Sequence, residues 1–455
     1  MEVPMSRTQQ RKDMILQGSS LKALVTLSIP LMVGNLIQTL YNLTDAYFVG
    51  KLGYIQFSAI SYIWPITFIF LAFSIGMSSA TTSLIAQSIG KNEHKNAVTL
   101  ATQFFIISLI AGTIFAVIGS AMTPFIIRLM GAEGALFDYS VAYLKIVFYE
   151  MPILFLFHVY KAMREGIGDT KTPTFYLGIS VVLNMLLDPL FIFTFNMGVE
   201  GAAYATVLSK LLVMGFMLYE MFKPNDSLYI ALDQLKVSIK SMKNLFEIGI
   251  PASIGQTVSA LGFAVMSSYV VSYGDPTVAA FGLGNRITSL VMMPAFGLGA
   301  ALATFVGINI GAGQYERANK SVFTAMSLGF GLLSIGSVIL YIFRIPLIRL
   351  FISEPHVIDL SDRYMTVLAF VFPLMAIIQA LLGAFSGSGH SLYVLFLTLS
   401  RLWLLRIPMI LWAKNYTNLG SDGVWYAMLV SNVIVCIVGI FIVLQGKWLR
   451  PTLKL

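Results

Sequence analysis

Charged residues are scarce in this chain. Asp, Glu, Lys and Arg make up 11% of its 455 residues, against about 25% in a soluble globular domain. Cysteine is scarcer still. Cys436 stands alone, which excludes an intrachain disulfide and leaves no ligand set for a thiolate metal site. The four histidines, His94, His158, His356 and His390, have no metal-ligand spacing. Large polar loops, where a membrane enzyme would hold its catalytic groups, are missing as well. Gly166-Ile-Gly-Asp169 and Gly387-Ser-Gly-His390 lack the Gly-Lys-Ser/Thr ending and the strand–loop–helix context of an ATP loop, and read as turns with capping residues. No cleavable signal peptide is expected, because residues 1–20 are polar and basic and the first apolar run is followed by others of the same kind.

What is present is apolar. Hydrophobic residues make up 57% of the chain and the mean hydropathy is +0.82. Apolar runs of about 20 residues bounded by short polar loops read as membrane-spanning helices. They fall near 24–50, 57–85, 97–122, 139–160, 174–195 and 202–221, then near 245–272, 278–306, 319–343, 364–384, 391–413 and 423–445. Twelve spans put both ends on one side. With the N-terminus cytoplasmic, the inner segments hold eighteen Lys and Arg residues, and the outer loops hold only Lys51, Arg128, Arg344, Arg349, Arg363 and Lys414. That bias orients the chain and accounts for its net charge of +8. The bases are spread over many loops rather than gathered in a patch, so nucleic acid is not expected as a partner. The partners expected are a small-molecule substrate and the lipid bilayer.

A shift of 221 positions brings the two halves into register. Ile29-Pro30 falls on Ile250-Pro251, Gly34 on Gly255, Gly53 on Gly274, Gly76 on Gly297, and Gly166 and Gly168 on Gly387 and Gly389. One residue more pairs Gly198 and Gly201 with Gly420 and Gly423. Six spans per repeat is an even number, so the repeats are parallel and related by an axis along the membrane normal. The expected architecture is an all-α membrane protein of twelve helices in two six-helix lobes. The lobes are residues 1–221 and 244–455, joined by a cytoplasmic linker at 222–243. Leu228, Ile230, Leu232, Leu235, Val237 and Ile239 suggest a short interfacial helix in that linker. Two similar halves suit alternating access, although a channel or scaffold can be built the same way.

Polar residues inside the spans are the candidate site. Gln38, Tyr41, Asn42 and Asp45 recur at i, i+3, i+4 and i+7, one face of the first span. Asn184 and Asp188 are four apart on the fifth span and share a face. Thr206 lies near the start of the sixth. An uncompensated Asp at the bilayer centre costs at least about 2.5–3.5 kcal/mol. Two nearby carboxylates in low dielectric share a proton or hold a cation between them. Hydroxyl and amide groups suit either arrangement, while Asn and Thr also serve as plain packing devices. The repeat partners of Asp45, Asn184 and Asp188 are Met266, Leu405 and Met409, which places coupling in the first lobe. The second lobe carries Gln256, Ser259, Asn285, Asn309, Arg401 and Arg406 instead. Both arginines are left between a lumenal and a snorkelling position. Glu150 and Glu200 read as rim charges, and His158 as a solvated edge residue.

The stretches SIPLMVGNLIQTLYNLTDAYFVGKLG (28–53), AQSIGKNEHKNA (86–97), REGIGDTKTP (164–173), NMLLDPLFIF (184–193) and GINIGAGQYERANK (307–320) resemble the bacterial and archaeal multidrug and toxic compound extrusion (MATE) transporters. The resemblance covers nearly the whole chain. It implies export of amphipathic, often cationic compounds, driven by a proton or sodium gradient across the plasma membrane. No cofactor is expected beyond that coupling ion. Asp45, Asn184, Asp188 and Thr206 match the cation site of that family's first lobe and would be the metal ligands if the ion is Na⁺. The expected substrate cavity takes Gln38, Tyr41, Asn42, Gln256, Ser259, Asn285 and Arg401. Another branch of the family carries a glutamate on the seventh helix where this chain has Ser259, which speaks against second-lobe coupling of that kind. A monomer with both termini cytoplasmic is expected, and no enzymatic activity. The rival reading is a flippase or exporter of lipid-linked precursors, whose cavity would be strongly cationic. The bases within the spans are chiefly Lys145, Lys210, Arg286, Arg401 and Arg406.

Overall fold

A computed structural model describes residues 7–224, 228–231 and 239–450. No strand occurs among the described residues. Hydrocarbon offers no water to bond an exposed N–H or C=O, so an apolar chain of this kind satisfies its backbone within helices. A short polar helix, α1 (Arg7–Leu16), comes first. The first repeat follows as α2 (Ser20–Gly50), α3 (Tyr54–Gly90), α4 (His94–Leu129), α5 (Gly134–Gly166), α6 (Lys171–Pro189) and α7 (Gly198–Phe222). The second is α8 (Ile239–Val271), α9 (Asp275–Val291), α10 (Met293–Gly311), α11 (Tyr315–Arg349), α12 (Pro355–Gly387), α13 (Ser391–Leu399), α14 (Ile407–Tyr416) and α15 (Asp422–Leu444). Among the described residues, twelve helices are long and apolar enough to cross a membrane.

Each span expected from the apolar runs has a helical counterpart, with local departures. The eighth is interrupted at Met292, between α9 and α10. Pro294, two residues on, has no N–H to give the carbonyl of Leu290. The fifth and eleventh spans contain π-helical stretches, Leu190–Thr194 directly after Pro189 and Ser400–Arg406 between α13 and α14. A proline inside a helix and a widened turn are recognised causes of a local bend. Of the suggested linker helix, Leu232, Leu235 and Val237 lie outside the described residues. Leu228 and Ile230 are buried, and Ile230 N–H donates to the carbonyl of Met221 at 2.7 Å.

Two compact units are present. Unit 1 comprises residues 1–12 and 33–253, and unit 2 comprises 13–32 and 254–455. They differ from the sequence halves at one place each. The opening of α2 belongs to unit 2, and the opening of α8 to unit 1. Glycines make this possible. A Cβ built on Gly76 would stand 2.2 Å from Ser253 Oγ and 2.3 Å from its backbone nitrogen. One built on Gly297 would stand 2.6 Å from Met32 Cγ and 3.0 Å from its nitrogen. Gly76 and Gly297 are 221 positions apart, and so are Met32 and Ser253, so the same backbone approach occurs once in each unit.

The repeat extends to the turns. Left-handed backbone recurs at Gly53 and Gly274, Asn92 and Gly313, and Gly168 and Gly389, each pair 221 apart, and at Gly198 and Gly420. Asp169, next to Gly168, accepts from the Thr172 backbone N–H at 3.3 Å and its hydroxyl at 2.7 Å, and pairs with Arg11 at 3.0 Å. It is thus a capping residue beside a turn, as its sequence context suggested. The core of unit 1 holds Phe148, Phe155 and Met151 with Phe70, Phe73 and Phe115 packed against them. Unit 2 is centred on Phe281, Tyr364 and Trp425, with Tyr364 and Trp425 stacked at 4.0 Å between ring centroids.

Gly76→Ala and Gly297→Ala should each destabilise the protein by about 1–3 kcal/mol, as overpacking of a tight contact does. Gly215→Ala, where a Cβ meets nothing within 4 Å, should leave thermal unfolding in detergent unchanged or raise it slightly through helix propensity.

Candidate functional site

The fifth span carries the centre of the site. Asn184 and Asp188 lie one helical turn apart on α6, and both are fully buried. Asn184 Nδ2 donates to Asp188 Oδ1 at 3.0 Å and contacts Thr206 Oγ1 at 3.4 Å. Thr206, on α7 and 6% exposed, is hydrogen-bonded to the Tyr41 hydroxyl of α2 at 3.0 Å. A polar chain therefore runs Tyr41–Thr206–Asn184–Asp188 through three helices of unit 1. Asp45 follows Tyr41 by one turn on α2, is half-buried, and lies within electrostatic reach of Asp188. Close approach of α7 depends on Gly201, where a Cβ would meet the carbonyl oxygen of Phe191 in the π-helical stretch at 2.7 Å.

A second pair of charges adjoins this chain. Lys210, one turn beyond Thr206 on α7, forms an ion pair with Glu150 of α5. Its ammonium also lies 5.7 Å from the centroid of the Tyr41 ring. Glu150 is 6% exposed and sits at the midpoint of α5, sixteen residues from either end. The rim position expected for it is therefore incorrect. It is an interior carboxylate, tolerated because a lysine from another helix reaches it. His158 is likewise buried rather than solvated, with its carbonyl taking the Ser78 hydroxyl at 3.1 Å. Glu200 is exposed, on the wall of a cavity of about 370 Å³ lined also by Asp138, Lys145, Tyr149 and Tyr204.

Three oxygens in the cluster are buried and accept no hydrogen bond: Asp45 Oδ1, Asn184 Oδ1 and Asp188 Oδ2. Leaving such a group unpaired costs about 1–3 kcal/mol, and more for a charged one. All three are acceptors. Lys210 is paired with Glu150 and lies within electrostatic reach of Asp45, whereas the charged group that acts on Asp188 is Asp45, so negative charge is in excess. Orphaned acceptors with excess negative charge suit a proton or a hard, oxygen-seeking cation.

The remaining candidates fall in both units. Gln38 and Asn42 of unit 1 are exposed and hydrogen-bonded to each other at 3.3 Å. In unit 2, Gln256 is exposed. Ser259 is half-buried and donates to the carbonyl of Gly255 at 2.8 Å, within its own helix. Asn285 is half-buried, and its backbone carbonyl takes the Ser289 hydroxyl at 3.0 Å. Arg401 is half-buried, with Nη1 3.2 Å from Met375 Sδ. Arg406 is 6% exposed and donates to Ser431 Oγ and Asn432 Oδ1, each at 3.1 Å. Arg406 is thus buried in the interior of unit 2 rather than snorkelling. Glu220, which carried no signal in the sequence, accepts from Tyr160 at 2.5 Å, Arg164 at 2.6 Å and Tyr176 at 3.0 Å.

Comparison with known proteins agrees with the twelve-span repeat. The MatE family model matches residues 30–190 and again 251–412, one match in each repeat. The chain is 30% identical to the probable multidrug resistance protein YoeA of Bacillus subtilis, over 87% of this chain and 88% of that protein. A structure of MATE in complex with MaL6 superposes with a TM-score of 0.92 at 27% identity, covering 98% of this chain and 100% of the other. A MOP superfamily transporter from Pyrococcus furiosus, described as having a binding pocket of reverse polarity that suggests a different function, superposes with a TM-score of 0.91 at 28% identity, over 99% and 100% of the two chains.

The Glu150–Lys210 pair yields a direct expectation. Glu150→Gln and Lys210→Met should each lower the unfolding temperature. The double variant should be more stable than the sum of the two losses, because neither leaves a lone buried charge when both are gone. Additive losses in that double-mutant cycle would show that the pair is not coupled.

Proposed function

The chain belongs to the MatE family, and from that premise we propose that it is a secondary active exporter of amphipathic, cationic organic compounds. Export runs by alternating access, coupled to the inward flow of H⁺ or Na⁺. The reading is of a transporter and not an enzyme, acting as a monomer in the plasma membrane with both termini cytoplasmic. Asp45, Asn184, Asp188 and Thr206 take the coupling ion. Gln38, Tyr41, Asn42, Gln256, Ser259, Asn285 and Arg401 are the candidate substrate contacts.

The observation that carries this reading is the set of three buried acceptor oxygens without donors in unit 1. A proton on Asp188 or Asp45 converts an orphaned oxygen into a donor. A sodium ion would take the Asp45, Asn184 and Asp188 oxygens together, with Thr206 Oγ1 as a fourth. Either event removes net negative charge from the interior of unit 1 and draws α2 and α6 towards one partner. That is the differential interaction a coupling ion needs if it is to shift a conformational equilibrium. Met266, Leu405 and Met409 at the matching positions of the other repeat supply no such change, so the coupling is one-sided.

The test is efflux of a lipophilic cationic dye from proteoliposomes under an imposed proton or sodium gradient. Wild type should export under one of the two. Asp45→Asn and Asp188→Asn should each reduce gradient-driven efflux at least tenfold without loss of folded protein. Undiminished, gradient-dependent export in both variants would refute the assignment.

A further inference from the structure

Unit 2 shows the opposite polarity in its interior. Arg401 and Arg406 occupy the middle of the span Ser391–Tyr416, each ten residues from one end. In an α-helix, residues five apart are separated by about 140°. Here both lie in the π-helical stretch Ser400–Arg406, whose i→i+5 hydrogen bonds widen the turn and bring them towards one face. They lie within electrostatic reach of each other.

No carboxylate answers them. The acidic residues between 254 and 450 are Asp275, Glu316, Glu354, Asp359, Asp362 and Asp422. All stand at the N-cap or within the first eight residues of a helix. Four are already paired there, Glu316 with Lys320, Asp359 and Asp422 with Arg363, and Asp362 with Arg344. Arg406 has only neutral partners, Ser431 and Asn432. Arg401 has a methionine sulfur, and its Nε is buried without an acceptor.

Each of the unpartnered buried groups around the two arginines can donate, and only the Tyr364 hydroxyl can also accept. Asn432 is fully buried and its Nδ2 donates to nothing. Tyr364 Oη and Trp425 Nε1, on the stacked pair next to Arg406, are also unpartnered. The unpaired acceptors of unit 2, such as Asn309 Oδ1 and Asp422 Oδ1, stand near the ends of their helices instead. Two guanidinium groups with only neutral partners, and an amide N–H with none, match the geometry and charge of an oxyanion.

We propose that the interior of unit 2 holds an oxyanion, a phosphate or carboxylate group, bound by Arg401, Arg406 and Asn432. The group belongs to an amphipathic solute or to a lipid. The site extends the ligand range beyond organic cations. It does not depend on the export reading, because binding alone reveals it.

The test is thermal unfolding of the full-length protein in phosphatidylcholine nanodiscs with naphthyl phosphate, against naphthol and against chloride at equal ionic strength. Naphthyl phosphate should raise the unfolding temperature saturably, and the two controls should not. Arg401→Gln and Arg406→Gln should each raise the half-saturating concentration at least tenfold, whereas Arg349→Gln, at an exposed arginine, should leave it unchanged. If Arg406→Gln does not fold, Asn432→Ala takes its place. Repeating the titration in phosphatidylglycerol discs separates the sources. Competition there identifies a lipid headgroup, and its absence a free solute, and both agree with the site. A wild-type shift that is absent or equalled by naphthol, or an affinity undiminished in the arginine variants, would overturn the proposal.

Discussion

A polar group in hydrocarbon has no water to turn to, and that constraint orders this structure. It makes the backbone helical throughout the spans, because each N–H must find its carbonyl within the segment. It also makes every buried polar side chain informative. Most find local partners, as the Ser and Thr hydroxyls do by bonding the carbonyl one turn back, for example Thr81 to Met77 and Thr102 to Val98. Some are left over. Around Asp45 and Asp188 they are acceptors, and around Arg401 and Arg406 they are groups able to donate.

Close helix contact is what brings those groups together. Gly201 lets α7 lie against the π-helical stretch after Pro189, and Thr206 then stands opposite Asn184. Gly76 and Gly297 let the openings of α8 and α2 dock in units 1 and 2 respectively. With no hydrophobic drive between helices in a bilayer, small residues supply contact by letting backbones approach. The glycine pattern and the polar clusters are therefore one design. The repeat conserves the approach points at an offset of 221 and changes the chemistry of the interior.

Much of the fold was legible in the sequence. Apolar runs of span length, the bias of Lys and Arg, and the register of Gly and Pro between halves are all local signals. They lead to twelve spans in a parallel repeat. The Asn184–Asp188 pair was legible for the same reason, since four residues on a helix fix a shared face. Other features depend on tertiary contact. Glu150 resembled a rim charge until Lys210, sixty residues away on another helix, proved to be its partner. His158 looked solvated because nothing nearby in sequence buries it. The widened turn that brings Arg401 and Arg406 together has no proline before it. Nor does any local pattern announce that residues 13–32 join unit 2.

The central claim is that the carboxyl groups of Asp45 and Asp188 change their protonation or ligation when the coupling ion binds. Infrared difference spectroscopy on the reconstituted protein tests it most directly. Raising the pH or adding Na⁺ should change a carboxyl or carboxylate stretching band, and Asp45→Asn/Asp188→Asn should lose that change. A band change of the same size in wild type and double variant would contradict the account.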